Sequence, residues 1–201
     1  MPARVRLALM VAASLVILAA AGVIVFAKAP APVGTGASGF AGFLRPAIPP
    51  KDFTLRDERG HQVSLRQYRG QVVVLTFLYS TCRDTCPLTA TTIRGALDDL
   101  GHDVPALAVS VDPRNDTRAN VQRFLVQQRL TGGRMHFLTG ARPALARVWH
   151  DYGIAPQGRG FEHSAYVLVI DKSGRQRVSF PVDQLTDRGL AHDIRRLEAA
   201  A

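Results

Sequence analysis

Residues 72–78, VVVLTFL, form a β-rich run interrupted by a single threonine. A strand with one wet face alternates apolar and polar side chains, and this one does not. It predicts a central strand buried on both faces, hence a sheet covered by other elements on each side. The chain around it supplies those elements. Residues 53–55 and 62–64 flank the turn Asp57-Glu58-Arg59-Gly60 and predict a short hairpin. After the central run, Leu88, Ile93, Ala96, Leu97 and Leu100 fall on one helical face. Residues 106–111, ALAVSV, predict the next strand.

The turn over residues 112–117 follows, with Asp116 as the expected N-cap of a helix carrying Val121, Phe124, Leu125 and Gln128. A short strand is expected over 135–138. A helix is expected over 143–152, stopped by Gly153. Strands at 166–170 and 176–180 pair across the turn Asp171-Lys172-Ser173-Gly174, and a helix over 185–200 closes the chain. Alternating strands and helices, ending in a hairpin and helix, predict an α/β fold with a mixed central sheet flanked by helices.

The first 28 residues are of another kind. Residues 7–27 contain no charge over 21 positions, long enough to span a bilayer as a helix. Arg4 and Arg6 precede them, which places the N-terminus in the cytoplasm and the rest outside. Ala27-Lys28-Ala29 offers a signal-peptidase site as the competing reading, and either way the domain is exported. The expected organisation is an N-terminal transmembrane anchor over 1–28, a flexible Pro/Gly/Ala linker over 29–44, and one folded domain over 45–201.

The net charge of +9 raises nucleic-acid binding as an option. The arginines are scattered, with no basic run and no interleaved aromatic platform, so a solvated surface accounts for them and no nucleic-acid partner is expected. Only two cysteines are present, Cys82 and Cys86. A small secreted scaffold held by disulfides uses four or more, so these two are not general staples.

They form the motif Cys82-Arg83-Asp84-Thr85-Cys86-Pro87, just after the central strand. In α/β sheets, sites gather where strands end and helices begin. A spacing of four on a helix start puts both sulfurs on one side. Helix N–H groups and the helix dipole favour thiolate there. Such a pair either oxidises to a disulfide or chelates a soft metal, and its bite is one residue wider than the C-x-x-C of thiol oxidoreductases.

A two-sulfur metal site needs a third ligand, and thiolates with imidazole suit copper. Of six histidines, His163 stands in a loop immediately before a predicted core strand. His61 and His102 fall in turns, His150 and His192 in helices, and His136 in a short strand. Loop position alone leaves His163 open between ligand and ordinary surface histidine.

With these residues together, the chain resembles the Sco/SenC family of copper chaperones. The matching pieces run in order: Pro49-Pro50-Lys51-Asp52-Phe53-Thr54-Leu55, then Tyr68-Arg69-Gly70 with the central strand, then Tyr79-Ser80-Thr81-Cys82-Arg83-Asp84-Thr85-Cys86-Pro87. Ser110-Val111-Asp112-Pro113-Arg114-Asn115-Asp116-Thr117 and Glu162-His163-Ser164-Ala165-Tyr166 complete the set. Glu162 stands where an aspartate is more usual.

The resemblance implies a thioredoxin-like fold and a copper ion, Cu(I) or Cu(II), held by Cys82, Cys86 and His163. It implies the binuclear copper site of cytochrome c oxidase subunit II, or another copper or thiol client, as partner. It also implies a single-pass protein of the bacterial inner membrane with its domain in the periplasm. The family is linked to thiol–disulfide chemistry, so Cys82 and Cys86 are also expected as a redox pair, and enzymatic turnover as a thiol–disulfide oxidoreductase is the alternative function. A structural disulfide in an interaction module would explain the cysteines but not the histidine segment. A peroxidase would want a separate, distant resolving cysteine.

Overall fold

The computed structural model describes residues 34–36, 38–156 and 166–200. The anchor expected over 7–27 and His163 lie outside the described residues. Among the described residues, no helix is long and apolar enough to cross a membrane.

Strand β1 (Phe43–Ile48) is followed by a hairpin of β2 (Thr54–Arg56) and β3 (Gln62–Ser64), and a 3-10 turn (Leu65–Tyr68) leads into β4 (Val73–Leu78). Next come α1 (Thr85–Leu100), β5 (Ala106–Ser110), α2 (Arg118–Gln127), β6 (His136–Leu138) and α3 (Arg142–Tyr152). The chain finishes with β7 (Tyr166–Ile170), β8 (Gln176–Pro181) and α4 (Asp187–Ala199). Six strands form one mixed sheet in the order β1-β8-β7-β4-β5-β6. The β4–β5 and β5–β6 pairs are parallel, and β4–β7, β7–β8 and β1–β8 are antiparallel.

The central run behaves as its composition requires. Every residue of β4 is buried. Val74 and Leu78 face a core built with α1, α2 and α4, through Ile93, Phe124, Leu190 and Ile194. Val73, Leu75 and Phe77 face a second core built with the hairpin and α3, through Leu55, Val63, Leu145 and Trp149. Each such side chain contributes about 1.5–3 kcal/mol when fully buried, so exposing either face of β4 would cost an amount comparable to a domain's whole stability. The one polar member, Thr76, satisfies its hydroxyl on the Tyr166 carbonyl at 3.0 Å.

Helix ends follow local chemistry. Gly101 (φ 72°) and Gly153 (φ 66°) stop α1 and α3 in the left-handed conformation that a side chain would strain. The expected N-cap of α2 is displaced by one residue. Thr117 caps it, its hydroxyl accepting from Asn120 N–H, and this releases Asp116 for another task. The linker drawn over 29–44 ends inside the fold. Phe40 is buried, Ala41 and Gly42 N–H donate to the buried Asp193 carboxylate at 2.8 and 2.9 Å, and β1 starts at Phe43. Its Gly- and Ala-rich composition hid a segment held by the buried Phe40 side chain and by backbone hydrogen bonds to Asp193.

Candidate metal centre

The parallel β4–β5 pair sends the chain into the loop over residues 79–84 at the carboxyl end of the sheet. Val111 N–H bonds the Leu78 carbonyl at 3.0 Å and fixes that end. Asp116 then holds the loop itself. Its Oδ1 accepts from both the N–H and the hydroxyl of Ser80 at 2.6 Å, and its Oδ2 accepts from the Ser110 hydroxyl at 2.5 Å. Burial raises the Asp116 pKa, against the hydrogen bonds from Ser110 and Ser80. Asp112 accepts from the Asn115 side chain at 2.7 Å and belongs to the turn.

Cys82 and Cys86 are both buried, at 8% and 1% exposure, and no disulfide joins them. The cap of α1 is unusual. Asp84 occupies the N-cap position but makes no side-chain capping bond. The Cys82 sulfur takes that place, accepting from the Cys86 N–H at 3.4 Å. A helix N-terminus leaves such N–H groups unsatisfied and presents partial positive charge. The sulfur therefore sits where a thiolate is favoured.

The two thiols are driven apart in acidity. The Cys86 thiol, hydrogen-bonded to the Cys82 sulfur, is the main cause that lowers Cys82 to about 4. Burial opposes this, while Asp84 and Cys86 N–H groups and the Tyr79 hydroxyl assist it. The same shared bond, with burial, pushes Cys86 up. The two shifts run in opposite directions and make Cys82 the sulfur favoured as thiolate. Such a pair can chelate a soft cation after losing its protons, or attack a disulfide through Cys82.

Among the described residues, no further His, Cys, Asp or Glu stands close enough to complete a three-ligand group with the cysteines. The one such group is Asp57, Glu58 and His136, elsewhere in the fold. His163 falls in the stretch 157–165 that lies outside the description. The strand that follows it is placed, however. β7 runs antiparallel to β4, with Val167 opposite Thr76, so Tyr166 opens β7 beside the end of β4 that leads to Cys82. His102 pairs with Glu198, His150 with Asp151 and His192 with Asp193. Two roles at the cysteine site went unread in the sequence. Tyr79 and Asp116 stand in the matching segments, but the Tyr79 contact with Cys82 and the Asp116 bridge to Ser80, across 36 residues, come only from the fold.

The comparisons agree with this architecture. The family model SCO1/SenC matches residues 45–199. The SCO1 protein homolog of Bacillus subtilis is 33% identical over 91 residues, which are 44% of this chain and 47% of that one. The chain thus matches about half the length of that relative. Among solved structures, apo Sco1 of Thermus thermophilus superposes with a TM-score of 0.66 at 26% identity, covering 81% of this chain and 99% of the other. ScoI of Bradyrhizobium japonicum, solved with copper bound, gives a TM-score of 0.63 at 27% identity over 75% of this chain and 99% of its own. The mixed sheet with its four helices is the thioredoxin-like fold of these proteins.

Proposed function

The chain belongs to the SCO1/SenC family, and from that premise we propose that it is a copper chaperone in which Cys82, Cys86 and His163 hold the ion. The observation that carries the proposal is the sulfur pair at the start of α1. The Cys82 sulfur caps the helix through the Cys86 N–H at 3.4 Å, where its thiolate is favoured. Two buried thiols, one favoured as thiolate, suit a copper ion, soft Cu(I) above all. The copper-bound ScoI of Bradyrhizobium japonicum supports the same cargo. Imidazole from His163 completes the set, supplied from the loop before β7.

Copper is the cargo, received and handed on. The proposed recipient is the binuclear copper site of cytochrome c oxidase subunit II. Residues 1–28 anchor the chain as a single span in the bacterial inner membrane, and the domain faces the periplasm. The uncharged 21-residue stretch after Arg4 and Arg6 supports that orientation.

The acidity split between the two thiols favours a second reading, thiol–disulfide exchange on a client. The Cys82 thiolate attacks one sulfur of a client disulfide and expels the other as a client thiol. Cys86, deprotonated, then attacks Cys82, releases the second client thiol and leaves a Cys82–Cys86 disulfide. Two electrons pass to the client, whose sulfurs take one proton from Cys86 and one from solvent.

The deciding experiment is Cu(I) titration of the reduced full-length chain against a chromophoric chelator. The wild type takes up one ion. Cys82→Ser, Cys86→Ser and His163→Ala each lose more affinity than the roughly 10–100-fold that removing an outer hydrogen-bond partner costs. Unchanged affinity in His163→Ala removes the histidine from the site. Turnover of a disulfide by the metal-free protein, kept in His163→Ala, transfers the assignment to thiol exchange.

A further inference from the structure

The β2–β3 turn and the start of β6 bring together Asp57, Glu58 and His136, one ligand atom from each lying within 4.8 Å of the others. The three are far from an ordinary surface charge cluster. Their side chains are 4%, 12% and 24% exposed. Asp57 Oδ1 is fixed by the N–H groups of Arg59 and His61 at 2.9 and 2.8 Å, which leaves Oδ2 turned to the cluster. Glu58 Oε2 is aimed by the Phe137 N–H at 3.3 Å, while Oε1 meets Arg59 on the outer side at 3.5 Å.

His136 Nδ1 lies between the two carboxylates, 3.7 Å from Asp57 Oδ2 and 3.7 Å from Glu58 Oε2. That is too long for a hydrogen bond, and Nδ1 is buried without a hydrogen-bond partner. Nδ1 stands at ion-pair distance from both carboxylates and is hydrogen-bonded to neither, so a divalent cation that displaces the imidazole proton finds one nitrogen and two oxygens facing it. Tetrahedral zinc with bonds of about 2.0–2.2 Å sets its ligand atoms about 3.4 Å apart, a few tenths below the two distances from His136 Nδ1 to the carboxylates. A fourth ligand is at hand. The exposed His61 is paired through Nδ1 with the same Asp57 Oδ2 at 3.5 Å, the nearest further imidazole to the group.

We propose that Asp57, Glu58 and His136, with His61 as the fourth ligand, form a second metal site for a divalent first-row transition cation. The ligand set is nitrogen and oxygen, hard to borderline, and so differs in kind from the thiolate pair that suits a soft ion. The site ties the turn of the β2–β3 hairpin to the edge strand β6. In the main sheet β6 pairs only with β5, and outside it the hairpin's backbone link to this region is the Arg56–Thr139 bridge. A metal there fastens the outer edge of the sheet.

The test uses zinc(II) and the full-length chain carrying Cys82→Ser and Cys86→Ser, so that thiol binding cannot contribute. Isothermal titration is expected to show one equivalent bound, and thermal unfolding to move upward with zinc. Adding Glu58→Gln or His136→Gln lowers the affinity at least about tenfold and abolishes the thermal shift. Glu58→Gln keeps the shape of the turn, and its unfolding in chelator verifies that it folds. Absence of saturable zinc binding in the cysteine-free chain overturns the proposal. So does binding that both substitutions leave unchanged.

Discussion

Asp116 is the side chain through which the fold holds the cysteine loop. Its two oxygens accept from Ser80 twice and from the fully buried Ser110 once. Asp116→Ala strands the Ser110 hydroxyl and the Ser80 donors, and is expected to cost about 1–3 kcal/mol in urea unfolding. Asp116→Asn keeps an acceptor for Ser80, and its amide can donate to Ser110. Because burial already raises the Asp116 pKa, the neutral amide sheds a charge the site does not favour. Its expected cost is within about 1 kcal/mol, and a loss equal to that of alanine would show that the carboxylate charge itself holds the loop. The sequence exposed the residue but not the role. Asp116 precedes a helix, the place of an N-cap, and only the contact with Ser80 distinguishes an anchor from a cap. Cys82 and Cys86 were legible because their spacing is local. Which thiol ionises was not, since it depends on the hydrogen bond between the two sulfurs and on Tyr79.

At the scale of elements, the closing helix is tied to the end of α1 by charge as well as packing. His102, just past the Gly101 stop, pairs through Nε2 with Glu198 Oε1 at 2.9 Å, and Arg195 reaches the Asp99 carbonyl at 2.6 Å. The Glu198 hydrogen bond is the chief cause that raises the His102 pKa. A histidine raised in the folded state favours folding fully below its unfolded value of about 6.5. That contribution is lost as pH climbs through the raised folded value. NMR titration of the His102 ring is expected to show a midpoint above the usual one, falling back in Glu198→Gln. An unmoved midpoint in that variant would remove Glu198 as the cause. The elements themselves were mostly readable, because strand and helix periods are properties of a few adjacent residues. β1 was the exception. Its segment, Phe43–Ile48, carries Pro46 and follows a Gly- and Ala-rich stretch, and its place in the sheet comes from pairing with β8, about 130 residues later.

For the whole molecule, one sheet separates two cores, and β4 belongs to both. The two cannot unfold separately without tearing that strand from one of its partners. The single tryptophan, Trp149, lies in the hairpin–α3 core with Nε1 bonded to the Ser110 carbonyl at 2.9 Å. Ile93→Ala opens a cavity in the opposite core, at a cost of about 2–5 kcal/mol. Trp149 fluorescence and helix ellipticity are expected to shift together in one transition in that variant. Two separated transitions would mean that the cores are independent. Residue order alone determined the α/β class, the central strand, the cysteine pair at its end and the uncharged N-terminal stretch, since each is written in short-range pattern and spacing. Tertiary structure decided the rest. It set the order of strands, the Asp116 anchor, the capping of α1 by the Cys82 sulfur, and the meeting of Asp57 and Glu58 with His136 across nearly eighty residues. These are contacts between distant segments, and only chain closure around a shared core brings such segments within hydrogen-bond reach.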